Sequence, residues 1–196
     1  EPLDAEPLGD FMNYSSGTTG RPKGIKRPLS GNTFADPSAL DALIGSLYGF
    51  DPDTVYLSPA PLYHSAPLAF TTGVHSLGGT IVVMDKFDPI EALRCIETHK
   101  ITHSQWVPTM FIRMLKLDEA ERTQFDLSSH KAAVHAAAPC PLDVKHQMID
   151  WWGNIVFEYY GGTELNGMTV CDSEQWLAHP GTVGTPILGA LHICDE

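Results

Sequence analysis

Positive charge is scarce in this sequence: 12 lysines and arginines face 24 aspartates and glutamates, for a net charge of −12. So acidic a chain is poorly suited to nucleic acid or an anionic membrane surface, both of which ask for a cationic face. Charge of either sign is thin, at 18% of residues, against about 25% in an average globular protein. Much of the surface is therefore expected to be covered. Cysteine is sparse as well. The four, at 95, 140, 171 and 194, form no CxxC pair, which argues against a metal knuckle or a disulfide framework and fits a reducing, cytoplasmic setting. No apolar run approaches the roughly 18 residues that cross a bilayer, and no signal peptide is recognisable. Asn13-Tyr14-Ser15 matches a glycosylation sequon without other signs of secretion. There is no internal repeat and no GxSxG elbow of a serine hydrolase. His99 and His103 are four apart, but no glutamate follows His99, so the zinc-helix pattern is not met.

Apolar residues make up 43% of the 196, enough for one domain with a real core or for part of a larger one. Short β-rich runs alternate with helical patterns. Strands are expected at Phe11–Ser15, Thr54–Ser58, Thr80–Met84, Ile101–Trp106, Ala132–Ala136, Ile155–Glu158 and Ala190–Cys194. The run Thr80–Met84 has the continuous apolar character of a strand covered on both faces. Asp36-Pro37 opens a helix whose Leu40, Leu43, Ile44 and Leu47 share one face. Asp88-Pro89-Ile90-Glu91 opens another, running to about His99 with Ile90, Leu93 and Ile96 inward. Helices are also expected at Pro108–Leu117 and at Pro141–Trp152, the latter with Val144, Met148 and Trp152 on one face. Such alternation predicts an α/β fold with a mainly parallel sheet flanked by helices. Ligands of such sheets bind in the loops beyond the carboxyl ends of the strands.

The chemistry-bearing residues follow strands. Tyr14-Ser15-Ser16-Gly17-Thr18-Thr19-Gly20-Arg21-Pro22-Lys23-Gly24 is rich in hydroxyls and glycines, and so in O–H and N–H donors suited to phosphate oxygens. Four of the twelve basic residues, Arg21, Lys23, Lys26 and Arg27, fall in or just after it, so the acidic chain carries one local spot for an anion. It is not a Walker A loop, because Pro22 stands where glycine must precede the lysine. The composition alone also fits an ordinary surface loop. Met110, Phe111 and Met114 are core or the lining of a tunnel, and a lone histidine such as His64 is most often structural.

The stretch Ser-Ser-Gly-Thr-Thr-Gly-Arg-Pro-Lys-Gly closely resembles the signature phosphate loop of the adenylate-forming superfamily: acyl-CoA synthetases, firefly-type luciferases and the adenylation domains of nonribosomal peptide synthetases. Tyr159-Tyr160-Gly161-Gly162-Thr163-Glu164 resembles the superfamily's Tyr-Gly-x-Thr-Glu motif. Pro61-Leu62-Tyr63-His64-Ser65-Ala66 is similar to the segment whose histidine borders the acyl carboxylate. His135-Ala136-Ala137-Ala138-Pro139 looks like the Gly-Ala-Ala-Pro turn, with His135 where a small residue is common. Pro180-Gly181-Thr182-Val183-Gly184-Thr185-Pro186 resembles a later structural turn.

The resemblance implies a two-step ligation in which ATP activates a small-molecule carboxylate to acyl-AMP, and CoA then takes the acyl group. It implies ATP, Mg²⁺ and CoA as cofactor and co-substrates. Ser15, Ser16, Gly17, Thr18, Thr19, Gly20 and Lys23 would cradle phosphates. Ala137 and Ala138 would lie beside the adenine, and Glu158, Tyr159, Tyr160 and Gly161 would belong to the nucleotide site, with Tyr160 as the adenine platform. Thr163 would contact phosphate, Glu164 would hold magnesium, and His64 would border the carboxylate. Trp106 is placed near the acyl tunnel. Amino-acid-activating members carry an aspartate near the His64 segment, and no acid occurs between Pro59 and Met84. With Ala-Ala-Ala-Pro-Cys and Trp-Leu-Ala-His-Pro-Gly, the wording looks most like bacterial fatty-acyl-CoA synthetases. Superfamily members have more sequence before the phosphate loop and continue to a ribose-binding aspartate, a hinge and a mobile C-terminal domain with a catalytic lysine. Residues 1–196 are thus expected to be the central piece of the large N-terminal domain, inactive alone. Adenylation without transfer to CoA, or a noncatalytic nucleotide-binding or interaction module, would fit the same residues.

Overall fold

The computed structural model describes residues 7–15, 20–33, 36, 39–192 and 194. In chain order the elements are β1 (Met12–Ser15), β2 (Lys23–Lys26), α1 (Ala39–Tyr48), β3 (Val55–Ser58), α2 (Ser65–Ser76), β4 (Thr80–Val83), α3 (Pro89–His99), β5 (His103–Trp106), α4 (Pro108–Leu115), α5 (Glu119–Arg122), β6 (Ala132–His135), α6 (Leu142–Trp152), β7 (Val156–Gly161), β8 (Met168–Cys171), α7 (Ser173–Ala178) and β9 (Thr185–Leu188). A seven-stranded sheet runs β4-β3-β5-β6-β7-β8-β9. The pairings from β4 through β7 are parallel, and β8 and β9 join antiparallel. This is the expected α/β architecture.

Alternation along the strands distributes the core to two faces. Tyr56, Ala132 and Val134 point to α1 and α2, where Ile44, Tyr48, Phe70 and Val74 are buried. Leu57, Trp106, Ala133 and Val156 point the other way, to Leu93 and Ile96 of α3, Phe111 and Met114 of α4, and Met148 and Trp152 of α6. Trp106 is fully buried, packs against Trp152 with ring centroids 5.4 Å apart, and donates its indole N–H to Ser104. It is a core residue, as are Met110, Phe111 and Met114, and the tunnel position expected for Trp106 is not what its surroundings show. The expected start of α3 is present: the Asp88 carboxylate accepts from the Glu91 amide, and Pro89 opens the first turn. His103 is tethered at both ring nitrogens. Its Nε2 donates to the Tyr48 carbonyl, so Nδ1 accepts from the Thr102 hydroxyl.

Several expectations need correction. The strand before the phosphate loop belongs not to the parallel sheet but to a separate antiparallel hairpin with β2. The apolar run Thr80–Met84 is the sheet's edge strand, with Val83 exposed, so it is not covered along its whole length. Residues 190–192 are not a strand. The last strand is β9, whose Pro186 argued against one; at an edge a missing N–H is harmless. Helix α2 was not expected from Ser-Ala-Pro-Leu-Ala-Phe-Thr-Thr-Gly. Pro67 fits because it stands in the first turn. Gly73 lets α2 lie close on α1: a Cβ there would come within 2.7 Å of the tip of the Ile44 side chain, which would have to shift. Pro37, expected at the first turn of α1, lies outside the described residues.

The turn before β9 depends on one glycine. Gly184 has φ +88°, and a Cβ there would lie 1.8 Å from the Val170 carbonyl oxygen. Gly184→Ala is expected to destabilise by more than about 2 kcal/mol, combining left-handed strain with a backbone collision. Gly181→Ala, also at positive φ but with only ordinary contacts around its Cβ, should cost less. Urea denaturation of both variants checks this order.

Candidate active site at the carboxyl edge of the sheet

Three chain segments leave the parallel strands at the same edge. After β3 comes the Pro61–Ala66 segment, after β6 the Ala136–Pro139 turn, and from β7 the Tyr159–Glu164 motif. Pairing of His135 with Glu158 in register sets the last two side by side. The hairpin β1–β2 reaches both remaining parts of this edge. Asn13 Nδ2 donates to Ser65 Oγ at 3.4 Å, and Arg27 Nη2 donates to the Thr163 carbonyl at 3.3 Å. An Asn13 engaged in this way, on a half-buried residue, is an unsuitable glycan acceptor.

The phosphate loop is the hairpin's connection, since Ser15 and Lys23 are the last paired residues before it. Ser16, Gly17, Thr18 and Thr19 lie outside the described residues. Gly20, Arg21, Pro22 and Lys23 are exposed. Arg21 and Lys23 stand at the hairpin tip and put positive charge at one point of an acidic molecule, whereas Lys26 pairs with Met12 at the hairpin's far end and Arg27 follows it. His64 is exposed, is the N-cap residue of α2 without a capping hydrogen bond, and lies 4.6 Å from Tyr63, ring to ring. It is therefore not the buried structural histidine that base expectation favours.

The motif strand is longer than the expected Ile155–Glu158, because β8 pairs with it through Gly161. That antiparallel ladder fixes Tyr160 opposite Thr169 and leaves its ring 62% exposed at the surface. Tyr159 turns inward, half-buried, and stacks on Phe70 of α2 with centroids 6.1 Å apart and planes 22° apart. Burial pushes its phenol up to about 12. Phe70 stacks in turn on Tyr56, so an aromatic column joins the helix that starts at His64 to the strand that carries Tyr160. After β7 the chain turns, with the Leu165 amide donating to the Gly162 carbonyl. Glu164 is exposed, and its carboxylate lies over Gly162, where a Cβ would stand 3.1 Å from Oε2. Ala137 adopts φ +76° at the start of the turn after β6, an uncommon conformation for alanine, and Ala137 and Ala138 are exposed.

Beneath that turn lies a polar cluster that sequence reasoning missed. Lys145 of α6 is fully buried and donates to Glu158 Oε2 at 2.5 Å, with its ammonium 5.1 Å from the Trp176 ring centroid. Glu158 thus turns its carboxylate to α6 and away from the open edge. A signal existed: Lys145, Met148, Ile149 and Trp152 follow the i, i+3, i+4, i+7 spacing of a core stripe, and a lysine in that stripe asks for a buried acid. His135 sits beside the pair, its Nε2 3.6 Å from Glu158, with both ring nitrogens lacking hydrogen-bond partners among the described residues. Burial, with the Lys145 ammonium adding to it, pushes His135 down to about 3, so the ring is neutral. Burial likewise raises the Cys140 thiol to about 12, removing it as a nucleophile.

A family model described as AMP-binding enzyme matches residues 9–196. The chain is 36% identical over 179 residues to 3-[(3aS,4S,7aS)-7a-methyl-1,5-dioxo-octahydro-1H-inden-4-yl]propanoyl:CoA ligase of Mycobacterium tuberculosis, covering 87% of this chain and 32% of that protein. It is 29% identical to the long-chain-fatty-acid–CoA ligase of Bacillus subtilis, covering 94% of this chain and 32% of that protein. Among solved structures, ATP-bound MatB from Rhodopseudomonas palustris superposes with a TM-score of 0.66 at 27% identity, covering 91% of this chain and 33% of that one. The chain thus spans about a third of the length of the curated relatives it matches.

Two outcomes follow from the buried cluster. Glu158→Gln strands the Lys145 ammonium and should lower the unfolding free energy by about 3–5 kcal/mol, whereas the double change Lys145→Met with Glu158→Leu should recover most of it. Urea titration of the three proteins decides. The second concerns pH. His135, and His130 which burial also holds near about 3, bind protons more readily in the unfolded chain, where histidine titrates near 6.5. Their contribution is full above about pH 6.5 and is lost as pH falls toward about 3. Tm should therefore drop on acidification from about pH 6.5 to about pH 4.5, with a shallower slope in His130→Asn and in His135→Asn.

Proposed function

We infer, from the premise that this chain belongs to the AMP-binding enzyme family, that it is the central part of the large N-terminal domain of an acid–thiol ligase, which uses ATP to activate a carboxylic acid and passes the acyl group to CoA. The observation that supports this reading is that the segment bearing Lys23 contacts both the His64 segment, through Asn13 and Ser65, and the Thr163–Glu164 turn, through Arg27. In the first step a carboxylate oxygen attacks the α-phosphorus of ATP, and pyrophosphate leaves with the bond it loses. In the second, the CoA sulfur attacks the acyl carbon and AMP leaves. Both partners of the first step are anions, so what the protein must supply is positive charge, oriented donors and position.

Lys23 supplies the charge at the hairpin tip, and the hydroxyls and amides of the loop supply donors. Tyr160 offers an exposed ring face for the adenine, with Ala137 and Ala138 beside it. Thr163 stands next to the phosphates, and exposed His64 borders the carboxylate. The Glu164 carboxylate, exposed and without an ion pair or hydrogen bond from its side chain among the described residues, fits a hard divalent cation that keeps phosphate and water as its other ligands. Mg²⁺ bound there would neutralise phosphate charge. Glu158 contributes from behind, through Lys145.

The acid is a fatty or aryl carboxylate rather than an amino acid, because the stretch from Pro59 to Met84 holds no acid to pair an ammonium, and an unpaired buried ammonium is costly. The two CoA ligases above are named for a fatty acid and for a ring-bearing propanoate, which supports a carboxylate without an amino group. Four free thiols accord with a reducing, cytoplasmic setting. No helix among the described residues is long and apolar enough to cross a membrane.

The test is carboxylate-dependent ATP–pyrophosphate exchange by the full-length protein across fatty, aryl and amino acids. Fatty or aryl acids should be the best substrates, and Lys23→Ala should slow exchange by about 10²–10³. An α-amino acid as best substrate would overturn the substrate class, and near-normal exchange by Lys23→Ala would remove that residue from the site.

A further inference from the structure

The hairpin that carries the phosphate loop is not part of the main sheet. Among the described residues, no backbone hydrogen bond joins β1 or β2 to it. Its placement therefore rests on side chains, and two reach across: Asn13 to Ser65, and Arg27 to the carbonyl of Thr163, 136 positions away in sequence. The first is between neutral groups and long. The second has a charged donor and ends on the residue that precedes Glu164. Arg27 is largely enclosed for an arginine, at 28% side-chain exposure, with Nη1 3.9 Å from the Asp10 carboxylate. Its Nε is buried and has no hydrogen-bond partner among the described residues. An arginine held so far from full hydration, with one Nη on a distant backbone carbonyl and the other toward Asp10, is spent on geometry rather than on solubility.

We propose that Arg27 is a positioning residue of the nucleotide site: by donating to the Thr163 carbonyl it sets the orientation of the phosphate-loop hairpin relative to the Thr163–Glu164 turn. The proposal rests on the functional reading above for its consequence, and on the contact itself for its mechanism. The two halves of a triphosphate site stand on separate pieces of backbone. Without the tie the hairpin, and Lys23 with it, samples other orientations relative to the Thr163–Glu164 turn. Nucleotide then binds only the competent fraction, and the apparent affinity falls by that fraction. The Asp10 carboxylate lies on the other side of the guanidinium, 3.9 Å from Nη1.

The experiment uses the full-length protein and the variants Arg27→Met, which keeps length without donors, and Arg27→Lys, which keeps charge with a single-point donor. Hydrogen bonds to charged groups are strong enough that Arg27→Met should raise the KM for ATP about tenfold or more. The kcat at saturating ATP should change much less, Tm should stay near wild type, and the amides of β1 and β2 should exchange hydrogen faster. Arg27→Lys should lie between. An unchanged KM for ATP with only a lower kcat or Tm would reduce Arg27 to a fold-stabilising residue and overturn the proposal, as would unchanged exchange in β1 and β2. If the wild-type protein showed no ligase activity, the functional reading would fail, while the exchange comparison would still decide whether Arg27 holds the hairpin.

Discussion

An ammonium and a carboxylate sealed together between helix and sheet constrain everything around them. Lys145 and Glu158 face each other at 2.5 Å in a region closed by Trp176 and Trp152. Removing two charges from water is costly, and their attraction offsets that cost only when the geometry is held closely. The pair therefore fixes how α6 lies on β7, and with it the turn that leads from β6 into α6. Two pieces of the candidate site, Ala137–Ala138 and Tyr159–Gly161, are the visible ends of the elements so fixed. His135, neutral and with no ring hydrogen-bond partner among the described residues, belongs to the same buried unit.

On the opposite face of the sheet the corresponding work is done by aromatic packing. Tyr56, Phe70 and Tyr159 form a column from β3 through α2 to β7. That column relates the His64 end of α2 to the Tyr160 strand. Alternation along β7 makes this possible: Glu158 serves one face, Tyr159 the other, and Tyr160 is left at the surface. Two adjacent residues of one motif thus anchor the site from two sides, and the next is free to meet a ligand. The hairpin is attached differently, by side chains rather than by a ladder.

Much of this was legible in the chain itself. The parallel strands and the helices between them follow from apolar periodicity, and α3 shows its Asp88 cap and Pro89 start where the sequence places them. The phosphate-loop, His64 and Thr163–Glu164 segments are recognised by their resemblance to short motifs, which are local in sequence. What was not legible depends on partners far away. Helix α2 looks poorly helical until Gly73 is seen under Ile44. The strand at Thr185–Leu188 looks broken by Pro186 until it is placed at an edge. Thr80–Val83 looks doubly covered until the strand order puts it at the other edge.

The sequence by itself determined the fold class and the family, since both are written in short-range pattern and motif. Only the tertiary structure decided that the phosphate loop hangs from a separate hairpin, that Glu158 turns inward to Lys145, and that Arg27 spans from the hairpin to Thr163. These are pairings between residues separated by 8 to 136 positions. Local propensity carries no information about such distances; they are set by which surfaces the packed sheet and helices bring together.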